Sequence, residues 1–481
     1  MNSAANALSV FQNALSVTQN NIANSLTPGY VEQTPSFEAL PFDSVGGASG
    51  GVKDGPVANA RDVYAETAVQ QAQTSLGTWE QQLSTLQPLQ TTFDITGTSG
   101  IPGALNTLFS AFATWSASPG DSTARQSVLN GAQGLAQAFQ QQAAAVSSAA
   151  SSANADLGNM VAQVNTLTGK ILQDNIQAAN NGGSSDPAVQ ADLYNNLEQL
   201  SQIVPITTLQ QTDGSTTVLL GGQTPLVIGQ QQYQISANFA VPANPPATYP
   251  SAPPNAQVLN SNGSDISAEI SGGKIGGLLQ AVNGTLAQLQ GSANQQGSLN
   301  QLAQTIADRV NALLTSGNIS NADPTTGAPA VPGVPLFAYD ATNLAGVAGS
   351  LSVSPGMTPG QLAAINPGPP EVDNGIPLVL ANLATPQNPA DEINNMSYTQ
   401  FFGNMAAQLG TAISTATSSQ TTTQNALTQA QSLRQQSSGV DLNQEAIKVL
   451  QFQQSYDAAS KMVTILDQIT QSFLDAIQLI T

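Results

Sequence analysis

The sequence predicts a mainly α-helical protein with inserted β-rich segments, and three observations support this fold class. Apolar residues recur with heptad spacing at both ends of the 481-residue chain, as in helices that pair. Long segments rich in Ala, Gln and Ser indicate further helices between the ends. Two other segments alternate β-branched and polar residues or are rich in Gly and Pro, which favours strands and turns. We therefore expect paired N- and C-terminal coiled-coil helices, a discontinuous helical-bundle domain and a β-rich outer domain.

The first helix is predicted from the spacing of its apolar side chains. They stand four, three, four and seven residues apart, with Thr18 filling the gap of seven: Ala4, Leu8, Phe11, Leu15 and Ile22. The pattern stops before the segment SLTPGY, where Pro28 disfavours helix at the residue before it and Gly29 can adopt a positive φ. We predict that the helix ends near Asn24 and that a defined turn follows, with Asn24, Pro28, Gly29 and Tyr30 as its key residues.

The segment from Arg61 to Ile203 is predicted to be mostly helical. Loops are expected at GTSGIPG and at SASPGDSTARQ, followed by one long helix over residues 122–177. Within the second loop Asp121 or Ser122 can cap this helix, and Arg125 stands one turn after Asp121. The spacing predicts an i,i+4 ion pair between these two side chains.

After Pro205 the sequence pattern changes from helical to β-like. It predicts a series of hairpins with turns at Asp213-Gly214 and Gly221-Gly222. Helix resumes at GGLLQAVNG and runs to about residue 316, a second β-like stretch covers 322–385, and helix returns from about 391 to 434. This order predicts an inserted β domain. The predicted domains are a terminal coiled-coil domain (1–60 and 436–481), a helical domain (61–204, 271–317 and 386–435) and a β-rich domain (205–270 and 318–385).

The last helix has the most regular pattern in the chain. Two sets of residues repeat every seven positions: Leu442, Val449, Tyr456, Val463 and Ile477, and Phe452, Ala459, Leu466, Phe473 and Ile480. Only Glu445 and Thr470 interrupt this seam, and Asp441 is the expected N-cap. We predict one helix from Leu442 almost to the carboxyl terminus.

The pairing of the terminal helices has two interpretations. The first is an ordinary intramolecular coiled coil. The second is that the same helices also pack against other copies of the chain, because further apolar residues widen the face beyond what one partner covers. These additional residues are Met462, Ile465, Ile469 and Leu474.

Composition excludes most kinds of enzyme and several kinds of partner. The chain has no Cys and no His, which excludes disulfides, thiolate metal sites and Ser-His-Asp triads. Nine Lys and Arg against 29 Asp and Glu give a net charge of −20, which disfavours nucleic acid and anionic membranes as partners. No cation precedes Lys53, so a secretory signal is not expected. We expect no catalytic residue, no cofactor and no metal.

The two ends resemble the axial proteins of the bacterial flagellum, the family of rod, hook and hook–filament junction subunits. The resemblance is carried by NNIANSLTPGY near the start and by SSGVDLNQEAIKVLQFQQSYDAASKMVTILDQI near the end. The segments LRQQSSGVDLNQEA and FQQSYDAASKM are most similar to the junction members, as are ASPGDSTARQSVL and SGGKIGGLLQAVN in the interior. The family pattern has an acidic pair after VDL, whereas this chain has Asn443-Gln444-Glu445. Salt bridges that relatives form at these positions are therefore not assigned to this chain.

The resemblance implies a structural subunit and its partners. In this family the paired terminal helices line the channel side of a helical tube, and the subunits are exported without a cleaved signal. The implied partners are other copies of the chain, the hook protein, the next junction protein and an export chaperone on the C-terminal helix. The implied polymer contacts are Leu8, Phe11, Leu15 and Ile22 with Val449, Phe452, Tyr456, Leu466 and Phe473.

Two alternatives remain open at this level. A rod or hook subunit would have the same terminal helices. A secreted protein with an enzymatic β domain would need paired carboxylates, for which the candidates are Asp213, Asp265, Glu269 and Asp340.

Overall fold

The computed structural model describes residues 2–43, 48–180, 186–241, 246–323 and 325–478. Ile480, the last member of the predicted carboxyl-terminal repeat, lies outside them. Within these ranges the α-helices are α1 (Asn2–Asn24), α2 (Val63–Leu86), α3 (Gly100–Ala117), α4 (Ser122–Asn180), α5 (Pro187–Ile203), α6 (Gly273–Gln280), α7 (Ala287–Gln290), α8 (Ser298–Ser316), α9 (Val347–Ser350), α10 (Gly375–Asn382), α11 (Tyr398–Ser438) and α12 (Leu442–Gln478). A π-helical turn, Ala281–Leu286, joins α6 to α7.

The strands are short and pair antiparallel. They are β1 (Gln33–Thr34), β2 (Phe37–Asp43), β3 (Ala48–Asp54), β4 (Ala58–Asn59), β5 (Ile206–Gln210), β6 (Thr216–Leu220), β7 (Thr224–Ile228), β8 (Gln231–Gln232), β9 (Ser236–Ala240), β10 (Asn255–Leu259), β11 (Asn318–Ser320), β12 (Val331–Pro332), β13 (Phe337–Ala338) and β14 (Ser352–Val353). The largest sheet has the order β5-β6-β7-β8; the others pair two strands each, as in the β2–β3 hairpin.

Several predicted element boundaries are confirmed. Helix α1 ends at Asn24, and the long Ala-rich segment forms α4. Helix α12 begins directly after Asp441, whose carboxylate accepts the backbone N–H of Asn443 at 2.9 Å. In the predicted β-like stretch 322–385, the strands have only two residues each, because frequent Pro and Gly prevent longer ladders.

The predicted ion pair of Arg125 is wrong. Its guanidinium donates to the backbone carbonyls of Pro119 at 2.8 Å and Leu362 at 3.1 Å. Asp121 instead caps α4 by accepting the backbone N–H of Thr123 at 2.8 Å. The guanidinium has several fixed N–H donors, so at this half-buried position it satisfies more than one backbone carbonyl, which a single ion pair with Asp121 would leave without a donor.

The chain divides into two compact units. The first comprises Met1–Leu76, Val164–Tyr233 and Thr422–Thr481, and so contains both terminal helices, the β2–β3 hairpin and the β5–β8 sheet. One of its clusters of buried residues joins Val69 and Leu76 of α2 to Leu427 of α11.

The second unit comprises Gly77–Gln163 and Gln234–Thr421. Its largest fully buried side chains are aromatic: Phe112, Trp115, Phe139, Tyr398 and Phe402. Helix α10 packs against α3, and Phe93 stacks on Phe402 with 5.8 Å between ring centroids. These aromatic residues bury the large apolar area that holds such a core together.

Candidate assembly interface

Helices α1 and α12 pair in antiparallel orientation within the first unit. Asn21, near the end of α1, hydrogen-bonds Glu445, near the start of α12. Ten residues earlier in α1, Phe11 reaches the ring of Phe37, which also contacts Phe452 further along α12. Moving backward along α1 therefore corresponds to moving forward along α12.

The predicted seam of α12 faces α1. Ala459 is buried, and the neighbouring seam positions are half-buried: Val449, Phe452, Tyr456, Val463 and Leu466. The heptad spacing of these residues keeps them on one side of the helix. Over residues 449–466 the half-buried side of this helix therefore follows the predicted seam, whereas Leu442, Phe473 and Ile477 of that seam are exposed.

In helix α1 the fully buried residues overlap the predicted seam in part. Its buried residues are Ala4, Val10, Ala14, Thr18 and Asn21. Ala4 and Thr18 belong to the predicted repeat, and its large apolar residues lie next to the buried ones. Leu8, Phe11 and Leu15 are half-buried there, and Ile22 is 37% exposed. We call Leu8, Phe11, Leu15 and Ile22 the outer α1 face.

The β2–β3 hairpin packs against the helix pair. Phe37 makes edge contacts with Phe11 and Phe452, at 6.3 and 6.0 Å between ring centroids. Asn13 of α1 donates to the carboxylate of Asp54 in β3 at 2.6 Å. The sequence reasoning missed this hairpin, whose Gly-rich second strand has little apolar alternation.

Helix α12 extends beyond its partner. With 37 residues against 23, it is about 55 Å long where α1 is about 35 Å. Residues 467–478, the α12 overhang, are all exposed. Ile469 and Phe473 are 59% and 69% exposed, so the overhang presents an apolar surface that α1 is too short to cover.

The predicted turn follows α1. Asn24 accepts the backbone N–H of Thr27 on its carbonyl at 2.9 Å and donates its side chain to the carbonyl of Asn20 at 3.0 Å. Pro28 is exposed, and Gly29 adopts φ +76°. A Cβ at Gly29 would stand 2.2 Å from the carbonyl oxygen of Ala191 in α5, so the turn requires glycine for both its conformation and its packing.

Tyr30, the last residue of the predicted turn, takes part in a buried polar cluster centred on Asn21. The Asn21 amide donates to the carbonyl of Gln33 at 2.8 Å and to Glu445 Oε2 at 2.9 Å. Its Oδ1 accepts the Tyr30 hydroxyl at 2.9 Å and the Gln33 N–H at 3.0 Å. All four hydrogen-bonding positions of this amide are therefore used. Sequence reasoning selected Asn24 and missed Asn21; the signal that could have indicated the cluster was the charged Glu445 in an apolar seam.

Glu445 is fully buried in this cluster. Lys448 reaches it at 2.6 Å and reaches Glu32 at 2.5 Å. Burial by itself lowers the pKa of Lys448, but the hydrogen bonds and charges of the two carboxylates outweigh it, so the pKa is raised. Burial, with the charge of Glu445, also raises the pKa of Tyr30 to about 12. At neutral pH the cluster therefore holds Lys448 as an ammonium and Tyr30 as a neutral phenol.

A second charged cluster anchors the turn from the other side. Arg61 pairs with Glu66, donates to the carbonyl of Gly29 at 2.7 Å and lies 3.7 Å from the ring centroid of Tyr194. Arg434 of α11 bridges Glu66 at 3.2 Å and Glu198 of α5 at 2.7 Å. These contacts fix the start of α2 and the end of α11 against the turn.

The carboxylates considered for catalysis close local turns. Asp213, Asp265 and Asp340 each accept a hydroxyl and a backbone N–H from the residue two positions on. Glu269 lies in a single turn of 3-10 helix. Across the described residues no group of three or more acidic side chains could hold a metal ion. None of the helices described there has the length and apolarity that crossing a bilayer requires.

Comparisons with known proteins agree with this architecture. Residues 86–329 match the model of the "Flagellar hook-associated protein FlgK helical domain", and residues 431–476 match "Flagellar basal body rod FlgEFG protein C-terminal". Flagellar hook-associated protein 1 of Bacillus subtilis is 24% identical over 98% of this chain and 96% of its own length. The protein of that name from Salmonella typhimurium is 27% identical over 66% of this chain and 56% of its own length.

A solved structure shares the fold. The flagellar hook junction protein FlgK from Burkholderia pseudomallei superposes with a TM-score of 0.63 at 16% identity, over 76% of this chain and 99% of that one. The predicted fold class and the flagellar resemblance are both confirmed. Because the helical-domain model spans just over half of the sequence, this chain belongs to the FlgK family of flagellar hook-associated proteins.

Proposed function

We propose that this protein is a structural adaptor subunit of the bacterial flagellum, which joins the hook to the filament by self-assembly of its paired terminal helices. The observation that carries the proposal is the large apolar surface on the α1–α12 pair. The outer α1 face is only half-buried, and the α12 overhang is exposed. Relatives named for the hook and the hook junction support the location.

The proposed polymer contacts combine the two helices. They are Leu8, Phe11, Leu15 and Ile22 of α1 and the exposed parts of Val449, Phe452, Tyr456, Leu466 and Phe473 of α12. Full burial of a large apolar side chain contributes about 1.5–3 kcal/mol. Covering several of them in each subunit would stabilise an assembly strongly, while an isolated subunit leaves them in water.

The proposed partners follow from the proposed position of the subunit between the hook and the filament. They are copies of the same chain in one helical layer, the hook protein below and the next junction protein above. We also propose extracellular placement after export without a cleaved signal, and an export chaperone that covers the apolar side of α12 before assembly. In this proposal the division into terminal, helical and β-rich domains is retained, and the protein catalyses no reaction.

A clean deletion of the gene tests the proposal. Cells without the protein are expected to carry complete hooks without filaments in electron micrographs and to lose flagellin to the medium, and the wild-type gene should restore filaments. Missing hooks would instead identify a rod or hook subunit. Normal filaments in the deletion strain would contradict the junction function altogether.

A further inference from the structure

The edges of the β-sheets are closed in some places and open in others. A sheet edge carries backbone N–H and C=O groups without a strand partner, and proteins usually protect such edges against pairing with other chains. Strand β8 is short, and its Gln232 amide donates to the carbonyl of Asn165 in α4 at 2.6 Å. On the outer edge of β10, the Asn283 side chain donates to the carbonyl of Ala256 at 2.8 Å and accepts its N–H at 2.9 Å. These two edges are closed by side chains.

Strand β5 forms the other edge of the four-stranded sheet, and this edge is open. Pro205 at its start and Gln211 just after its end both hydrogen-bond toward the β6 side. Bonded residues alternate in an antiparallel pair, so Ile206, Thr208 and Gln210 turn their N–H and C=O groups away from β6. Within the described parts of the chain these backbone groups have no hydrogen-bond partner.

A groove of about 560 Å³ lies between β5 and α2. This volume is comparable to that of sites that enclose a small ligand, so a few residues of extended chain fit beside β5. The α2 wall of the groove presents hydroxyl, amide and no charged side chains: Thr67, Gln70, Gln71, Thr74 and Ser75. The groove therefore combines backbone groups of β5 on one wall with uncharged polar side chains on the other.

The segment that contains β5 to β10 is almost free of charge. Between Glu198 and Asp265 the sequence has a single charged residue, Asp213, although the whole chain has a net charge of −20. Two copies of so acidic a chain repel each other, and the repulsion is weakest where both surfaces lack carboxylates. An uncharged edge also lacks the usual protection against pairing. The charge distribution therefore favours an uncharged segment of a second copy as the occupant of the groove.

Strand β9 is the segment of the chain that fits this description. Ala256 of β10 turns its backbone groups toward Asn283, so Phe239, its partner in the β9–β10 register, turns its own groups away from β10. The side chain of Phe239 is 38% exposed. Among the described strands of five or more residues, β5 and β9 are those that combine an open edge with the absence of charge.

We propose that the open β5 edge of one copy pairs with the open β9 edge of the next copy. This inference rests on the proposed function, because it adds a second contact between copies to that of the terminal helices. Copies in one helical layer all point the same way, so they meet through two different surfaces. Pairing of β5 with β9 meets this requirement, whereas pairing of β5 with another β5 does not.

Cysteine cross-linking of the purified full-length chain tests this pairing. The chain has no cysteine, so Thr207→Cys in β5 and Ser236→Cys in β9, both at exposed positions, each add a single thiol. The two variants are mixed at high protein concentration in about 300 mM NaCl, which weakens the repulsion, and are treated with a short bismaleimide. We expect at least about tenfold more covalent dimer from the mixture than from either variant alone, because the contact places β5 beside β9 and not beside another β5.

A backbone substitution shows whether the contact uses the strand edge. Thr208→Pro, added to the Thr207→Cys variant, removes an N–H that points away from β6 and so spares the β5–β6 ladder. Thr208→Val is the matched control, because it keeps this N–H and a similar shape. We expect Thr208→Pro to lower the dimer yield about tenfold or more, since proline cannot donate to an added strand, and Thr208→Val to leave the yield unchanged. If urea unfolding shows that Thr208→Pro destabilises the fold, Leu209→Glu places a charge at the exposed edge instead and should lower the yield in the same way.

A mixture that yields no more dimer than the single variants overturns the inference. Dimer from Thr207→Cys alone also overturns it, because β5 would then pair with another β5. Equal yields from the edge variants and from Thr208→Val would show that the contact does not use the edge. A failure of the proposed function is seen separately, because the deletion strain would then keep its filaments whatever the cross-linking yield of the purified protein.

Discussion

Gly29 shows how much a single residue determines at the amino-terminal turn. Its φ of +76° is in the left-handed region, and its α-carbon faces the carbonyl of Ala191 with no room for a side chain. Arg61 donates to the Gly29 carbonyl, so the same residue also connects the turn to the charged cluster. A change here is expected to disturb the exit of the chain from α1.

We predict that Gly29→Ala destabilises the protein by about 2 kcal/mol or more, through the positive φ and the contact with the Ala191 carbonyl. Urea unfolding followed by circular dichroism measures the loss. The matched control is Gly134→Ala in α4, where φ is ordinary and nothing lies within 4 Å of the added Cβ. That control should gain up to about 1 kcal/mol from helix propensity. Equal effects of the two substitutions would show that the turn is not constrained.

At the scale of elements, the unequal lengths of α1 and α12 decide which apolar surface stays exposed. The seam residues of α12 up to Leu466 lie opposite α1, whereas Phe473 lies beyond the part of α12 that α1 covers. Propensity and periodicity are the same on both parts of α12, so its pattern alone does not distinguish a paired segment from an overhang. Under the proposed function, the overhang would therefore contribute to assembly without contributing to the folding of the subunit.

We predict that Phe473→Asp leaves the subunit folded and prevents assembly. Because Phe473 is 69% exposed, the free energy of unfolding should change by no more than about 0.5 kcal/mol. Filaments should be lost in a deletion strain complemented with this variant. Gln471→Asp adds the same charge at an exposed polar position nearby and should restore filaments. If the Phe473→Asp variant is present at wild-type levels and the cells still form normal filaments, the overhang does not belong to the assembly contacts.

At the scale of the whole molecule, the net charge of −20 acts on every pair of neighbouring copies. With nine Lys and Arg in the whole chain, and several of these in intramolecular pairs such as Arg434 with Glu198, few cations remain to attract an acidic neighbour. Apolar contacts must therefore overcome a general repulsion when copies associate.

We predict that salt strengthens self-association of the purified protein. Raising NaCl from about 20 mM to about 300 mM shortens the screening length severalfold and weakens repulsion between subunits. Sedimentation velocity at fixed protein concentration should show a larger associated fraction at high salt, and sorbitol of equal osmolality should have no such effect. Weaker association at high salt would indicate that specific ion pairs, rather than apolar contacts, hold the copies together.

The sequence by itself determined the features that depend on neighbours along the chain. These are the extent of α1, α4 and α12, the seam of α12, the turn at Gly29 and the absence of thiol and imidazole chemistry, since periodicity, φ preference and composition are local properties. Only the tertiary structure decided which residues of α1 are fully buried and which contacts Asn21 makes. The Asn21 side chain accepts from Tyr30 and donates to the carbonyl of Gln33, both just after the turn, and it donates to Glu445 of α12; a pattern of apolar residues reports none of these polar contacts.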